Sequence, residues 1–263
     1  SSHDNKPLKT PHIAQVHFDG MILDTRHVLD TLKNIESSNN AKAVIAHINS
    51  PGGSMVGGLN VYRSLRRISE KKPVTIVMEE TAASAGYLIA LGGDYIVANE
   101  ATLTGSIGVF MPLFDATSLA EKIGVKSTSI ASGDMKLSTS PVDERSAKAT
   151  QHLSHMVNQL EDIFIHHVKE RRNISSDVEK TIRDGRALIG VQALEFGLID
   201  ALGDASQAKT WLEKTYNLPQ SLPVAEYSFE EPQTWLESLL SQASLLPTWL
   251  KGMHSQGILA VQF

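Results

Sequence analysis

Cysteine is absent from all 263 residues, which removes disulfides, zinc–thiolate sites and a cysteine nucleophile together. Long apolar runs are missing too. The most apolar stretch, from Gly86 to Ala98, is interrupted by Asp94, and no window of 18 apolar residues exists to read as a membrane-spanning helix. Basic residues are in deficit: 24 Lys and Arg stand against 29 Asp and Glu, a formal net charge of −5. That balance argues against nucleic acid as the main partner. There is no internal repeat and no low-complexity tract. Histidine is absent between His47 and His152, and this gap bears most on the catalytic chemistry open to the chain. A chain of 28.6 kDa can bury a full core, and it reads as one elaborated domain.

Within the histidine-free stretch stands Thr81-Ala82-Ala83-Ser84-Ala85-Gly86, about thirty residues after Asn49-Ser50-Pro51-Gly52-Gly53. Ser84 is flanked by small residues and opens an apolar, helix-like run from Tyr87 to Leu91. A nucleophile is presented in this way at a helix N-terminus, where backbone N–H groups favour developing negative charge. The Pro-Gly-Gly turn follows a buried strand and can offer further N–H groups free of side chains, as an oxyanion hole needs. Each piece alone also fits a tight turn and a helix cap. Together, in this order, they point to a serine hydrolase. Such a serine needs a base, and without a nearby histidine the other solution is a lysine kept neutral by burial. Lys136 sits in Ala131-Ser132-Gly133-Asp134-Met135-Lys136-Leu137-Ser138, among small and apolar residues without other cations, whereas Lys122, Lys126 and Lys148 stand in ordinary surface sequence.

These residues resemble the signal peptide peptidase A family of Ser-Lys proteases over about residues 12 to 228. The matching pieces are Ile48 to Gly53, Ala82 to Tyr87, Ile96 to Asn99 with Thr104 to Val109, Ser132 to Lys136, and Gly190 to Asp200. Two positions depart mildly: Asn49 where an aspartate is common and Ala85 where a glycine is common. The resemblance implies a Clp/crotonase-like α/β fold of repeated β-β-α and βαβ units, with a mainly parallel sheet and a long C-terminal helical region. It implies Ser84 as nucleophile, Lys136 as general base and Ser106 as the residue that orients the lysine amine. The N–H groups of Gly53 and Ala85 would form the oxyanion hole, and no cofactor or metal is expected. Short apolar peptides, including signal peptide fragments, would be the substrates, and a homo-oligomeric ring would enclose the sites. Family members commonly carry an N-terminal membrane anchor, and this chain begins at Ser1. The resemblance therefore places the catalytic domain on the extracytoplasmic or periplasmic side of a bacterial inner membrane, anchored outside this chain.

Read along the chain, residues 1–11 form a polar arm, 12–228 the protease domain and 229–263 an amphipathic extension. Strands are expected at Ile13 to Phe18, Ala43 to Ile48, Val74 to Met78, around Ile96-Val97 and over Val125 to Ile130. Helices are expected after Asp24 or Thr25, around Val56 to Ile68, and after the Ser140-Pro141-Val142-Asp143 start signal. Strand, glycine turn, helix, strand, nucleophile, helix is the pattern of parallel α/β units, which place binding groups at the C-terminal ends of strands. The stripe Leu153, Met156, Val157, Leu160, Ile163, Phe164 and Val168 reads as core or subunit contact. His152 and His155, three apart, lack a third metal ligand and read as helix-surface residues. A Clp-type peptidase would need a histidine downstream of the serine, and Val109 stands in that place. An acyl-CoA enzyme of the crotonase type, or an inactive scaffold, would not require both Ser84 and Lys136.

Overall fold

A computed structural model describes residues 9–229. The chain divides into compact units of Ser1–Ser228 and Phe229–Phe263, and every helix and strand of the described residues belongs to the first. The amphipathic C-terminal segment and most of the polar N-terminal arm lie outside the described residues.

The chain opens with strand β1 (His12–Asp19), helix α1 (Arg26–Ser37), strand β2 (Ala41–Ser50) and helix α2 (Met55–Ser69). Strand β3 (Val74–Ala83) then leads into the short helix α3 (Ala85–Ala90), followed by β4 (Tyr95–Ala98) and β5 (Leu103–Gly105). Next come α4 (Thr117–Lys122), a 3-10 turn at Asp134–Leu137 and the 25-residue helix α5 (Ala147–Arg171). The domain ends with α6 (Ser176–Ile182), β6 (Ala187–Ile189), α7 (Gly190–Glu195), β7 (Ala201–Leu202), α8 (Ala205–Tyr216) and β8 (Val224–Glu226). The sheet runs β6-β5-β3-β2-β1-β8, with β4 alongside β3 and β7 alongside β4. Every pairing is parallel except that of β5 with β6. The mainly parallel α/β architecture expected from the sequence is therefore present.

Sequence explains the centre of the sheet directly. β2 reads Ala-Lys-Ala-Val-Ile-Ala-His-Ile-Asn-Ser and is buried along nearly its whole length, as parallel strands covered on both faces must be. One face packs Ile13, Ala43, Ile45, Val77 and Val97 against Ala208 and Leu212 of α8. α2 and α3 pack against each other. β3 changes partner along its length, pairing with β4 over Thr75–Met78 and with β5 over Thr81–Ala83. That switch frees the end of β3 to deliver Ser84 beside β5.

Two expectations fail for the same reason. Val125 to Ile130 forms no strand: it finds no sheet partner, and Ile130 is fully exposed. The Ser140 start signal closes a turn instead, with the Ser140 hydroxyl donating to Asp143 Oδ2 at 2.6 Å. α5 begins later, capped by Ser146, whose Oγ accepts the Ala149 N–H at 3.1 Å. Local patterns set both expectations, and neither segment has the tertiary partners that would realise them. Of the α5 stripe, Leu153, Phe164 and Val168 are buried, whereas Met156 and Ile163 face solvent. Among the described residues, no helix is long and apolar enough to cross a membrane.

All six residues of α3 are buried and its last carbonyls are taken by the N–H groups of Leu91, Gly92 and Gly93, so the carbonyls of the buried turn that follows need partners from elsewhere. Arg171 supplies them, donating to Leu91 O at 3.1 Å and to Gly93 O at 3.0 Å. Arg66 donates to Gly92 O at 3.2 Å and to Asp94 Oδ1 at 3.0 Å. Replacing Arg171 by methionine keeps much of the stem but leaves two inward carbonyls unpaired. Arg171→Met is expected to destabilise the domain by about 1–3 kcal/mol, read as a lower urea midpoint with an unchanged slope. A midpoint equal to wild type would show that water replaces the guanidinium without loss.

Candidate active site

Ser84 occupies the single residue between β3 and α3, with φ 52° and ψ −121°. A side chain held at positive φ costs on the order of 1–3 kcal/mol and persists only where its surroundings over-determine it. Here they do. The Ser84 N–H donates to Gly105 O at 2.9 Å, and the Leu88 N–H donates to Ser84 O at 3.0 Å. Ser84 is half-buried, and among the described residues its hydroxyl has no hydrogen-bond partner. Ala85 begins the helix, so its N–H lies among the orphan donors of the first turn.

The Gly52–Gly53 turn lies against this serine. At Gly52, φ is +121°, and a Cβ would stand 2.8 Å from Ser84 Cβ and 3.2 Å from Ser84 Oγ. At Gly53, φ is +147°, and a Cβ would stand 2.2 Å from Ile22 O. Only glycine fits either place. Ile22 forms an isolated parallel bridge with Gly53: the Ile22 N–H donates to Gly52 O at 2.9 Å and the Ser54 N–H donates to Ile22 O at 2.7 Å. In a trans peptide the N–H points opposite to the C=O, so the Gly53 N–H faces away from Ile22. Since β2 lies between β1 and β3, that direction is the β3 side, where Ser84 stands.

Ser106 follows β5 directly and also holds a positive φ, 47°. Its N–H donates to Arg186 O at 2.9 Å, and it sits one residue beyond the carbonyl that holds the Ser84 N–H. Ser84, Gly53, Ala85 and Ser106 are thus gathered at the ends of β2, β3 and β5. Lys136 departs from expectation. It lies in the 3-10 turn Asp134–Leu137 and is exposed, not buried, and its amine bonds neither serine among the described residues. The physical reason is the segment around it, since across residues 109–146 only Ser138 is buried.

Among the described residues no histidine hydrogen-bonds Ser84. Both nitrogens of His12 are engaged, by Thr10 O and by the Tyr227 hydroxyl. His47 Nδ1 pairs with Glu79, while His17 Nε2 meets Gln15 and Glu226. Among the described residues no group of three or more potential ligands is placed to hold a metal. A cavity of about 540 Å³ opens beside the start of α8, lined by Val77, Glu79, Glu80, Asn99, Asp204 and Ser206 among others. Ser84 does not line it. Sequence reasoning missed Ile22 altogether, because it acts through backbone groups that no side-chain pattern marks. Ser50, although part of the turn motif, carries no side-chain signal that would assign it a task.

Residues 66–219 match the family model described as peptidase family S49. A provisionally named protease of Methanocaldococcus jannaschii is 32% identical over 208 residues, covering 79% of this chain and 67% of that protein. A provisionally named signal peptide peptidase of Enterococcus faecium is 30% identical over 247 residues, covering 88% of this chain and 72% of its own length. Among solved structures, a mutant of the 1510-N membrane-bound stomatin-specific protease, in complex with a substrate peptide, aligns with a TM-score of 0.49. It is 19% identical, over 89% of this chain and 98% of that one. The family match over more than half of the chain, together with relatives of this identity and coverage, is decisive: the chain belongs to peptidase family S49, a family of serine proteases.

Proposed function

We propose that this chain is a serine endopeptidase that uses a Ser84–Lys136 dyad to hydrolyse short, flexible, largely apolar peptides, remnant signal peptides at a membrane among them. The observation that carries the reading is Ser84 itself: a serine at φ 52° on a strand-to-helix junction, seated on a glycine that could bear no side chain. In this reading the Ser84 Oγ attacks the scissile carbonyl carbon while its proton passes to the Lys136 Nζ. The carbonyl oxygen takes the negative charge and is met by the N–H groups of Gly53 and Ala85. Collapse of the tetrahedral species expels the amine, which receives the proton from Lys136, and an acyl-Ser84 ester remains. Water, deprotonated by the Lys136 amine, then attacks the ester carbonyl, and the acid is released as Lys136 returns the proton to Ser84 Oγ. Ser106 orients the amine.

A lysine amine in water is charged at neutral pH and is a poor base until it is desolvated. The exposure of Lys136 therefore bears on assembly. The 109–146 segment holds itself together, with the Ala116 N–H on Pro141 O at 2.7 Å and Arg145 Nε on Ser138 O at 2.8 Å. Yet it leaves Phe110 86% and Phe114 75% exposed. An apolar surface of this kind marks a contact. We assign it to neighbouring copies in a heterologous ring, which covers the segment, dries Lys136 and limits entry to unfolded peptides. Residues 12–228 are then the catalytic domain and 229–263 an extension of it. The name of the Enterococcus faecium relative supports signal peptide fragments as substrates, and we place the catalytic domain at the extracytoplasmic face of a membrane, as the family resemblance implies.

Ser84→Ala and Lys136→Ala are each expected to lower peptide hydrolysis by about 10⁴-fold or more with the fold retained; Ser106→Ala should lose about 10- to 100-fold, mainly in kcat. A Lys136→Ala enzyme keeping more than about a tenth of wild-type activity would rule out the dyad.

The ring is tested separately. Phe110→Ser combined with Phe114→Ser should shift the sedimenting species to a smaller mass and reduce hydrolysis while circular dichroism stays unchanged. A wild-type monomer that is fully active at micromolar concentration would remove the ring from the reading.

A further inference from the structure

Ser50 is the last residue of β2 and is wholly buried, with 0% of its surface exposed. A buried hydroxyl at a strand end has to be bonded, and its partner is unusually placed. The Gly52 N–H donates to Ser50 Oγ at 3.1 Å, across Pro51, as serine hydroxyls do at turns. Gly52 is the residue whose α-carbon faces the Ser84 side chain, and its carbonyl is taken by the Ile22 N–H at 2.9 Å. The Ser50 hydroxyl also donates to that same Gly52 carbonyl at 3.4 Å, so Ser50 holds both polar groups of Gly52 and shares the carbonyl with Ile22. Ser50 touches the other side of the site as well: a Cβ at Gly86, in the first turn of α3, would stand 2.9 Å from Ser50 O and 3.4 Å from Ser50 Cβ.

The consequence lies in the next peptide plane. Two consecutive glycines carry no Cβ to resist rotation, so the Gly52–Gly53 peptide can turn over unless it is held at both ends. Turning it would point a carbonyl, not an N–H, to the β3 side. We propose that Ser50 is a positioning residue that locks Gly52, so that the Gly53 N–H stays directed towards the carbonyl oxygen of a substrate attacked by Ser84. The inference rests on the peptidase reading. Its effect is confined to stabilising the charged tetrahedral species, because a misdirected N–H does not stop a peptide from binding.

The experiment compares Ser50→Ala and Ser50→Thr with wild type, each rate normalised to sites titrated by a serine-directed phosphonate, and with Ser84→Ala, whose rate is normalised to protein concentration. Ser50→Ala should lower kcat by about 10- to 100-fold with KM changed less than about twofold. Ser50→Thr keeps the acceptor but forces a methyl into a fully buried site, so it should lose thermal stability yet recover most of kcat. A packing role predicts the reverse ranking, with Ser50→Thr the poorer enzyme. Equal kcat per titrated site in Ser50→Ala and wild type overturns the inference while an inactive Ser84→Ala leaves the peptidase reading standing. An active Ser84→Ala overturns both. Should Ser50→Ala not fold, Ser50→Cys, whose thiol is a weak acceptor, is read by the same kcat criterion.

Discussion

A six-residue helix buried on all sides constrains everything around it. α3 cannot turn its end groups to water, so each must be met by protein or left for a ligand. At the C-terminal end, Arg66 and Arg171 meet the carbonyls of Leu91, Gly92 and Gly93. At the N-terminal end no side chain caps the helix. The asymmetry is functional in form: carbonyls are neutralised by fixed cations, while N–H groups stay open beside Ser84. Arg171 comes from the end of the long helix α5 and Arg66 from α2, so two distant parts of the chain converge on the end of α3 that does no chemistry. Tyr87, at the centre of this helix, spans it differently, its hydroxyl donating to Leu198 O at 2.9 Å. Burial raises the pKa of that hydroxyl well above its ordinary value, so it stays protonated as a donor across the working pH range.

The serine and its turn were legible in the sequence because short motifs encode local geometry. Thr81 to Gly86 and Asn49 to Gly53 contain the small residues that the backbone requires, and the Cβ clashes at Gly52 and Gly53 show why nothing larger fits. The parallel strands were equally plain, since Ala41–Ser50 and Val74–Met78 carry apolar residues on both faces. What failed were expectations that needed a tertiary partner, and among the described residues none is in place. Val125 and Ile130 have strand-forming side chains but no adjacent strand. Lys136 stands in a sequence of small and apolar residues that suggests burial, yet the whole 109–146 segment lies open. Propensity describes what a segment can pack against, not whether the partner is present.

The contrast between the segment and the body clarifies how the site is divided. Ser84, Gly53 and Ser106 all stand at ends of strands in one continuous sheet, and each is held by backbone hydrogen bonds to a neighbouring strand or the loop beside it. Ser84 and Ser106 are thereby fixed by the sheet, and Gly53 by the bonds of its neighbours to Ile22. The lysine travels on a segment attached mainly to itself, through Asp143, Pro141 and Ser138. In the proposed ring, with the nucleophile on a rigid frame and Lys136 on a separate segment, assembly and not folding alone would decide when the serine is activated. An isolated chain would then carry a formed attack site and an unfinished base.

Strain supplies the last link. Among the described residues only three other than glycine have positive φ, and two of them, Ser84 and Ser106, belong to the proposed site. They are joined by the Gly105 carbonyl, which accepts the Ser84 N–H and forms the peptide that leads into Ser106. The short pairing of β3 with β5, only Thr81–Ala83 against Leu103–Gly105, therefore imposes both unfavourable conformations at once. A longer β3–β5 ladder would carry Ser84 onward in extended conformation, with its side chain alternating into the sheet face. Ending the ladder at Ala83 turns the chain sharply and leaves the hydroxyl without a hydrogen-bond partner among the described residues. The strain at the two serines follows from stopping a parallel strand where the helix must begin, and the buried apolar contacts of β2, β3 and α3 are what hold it there.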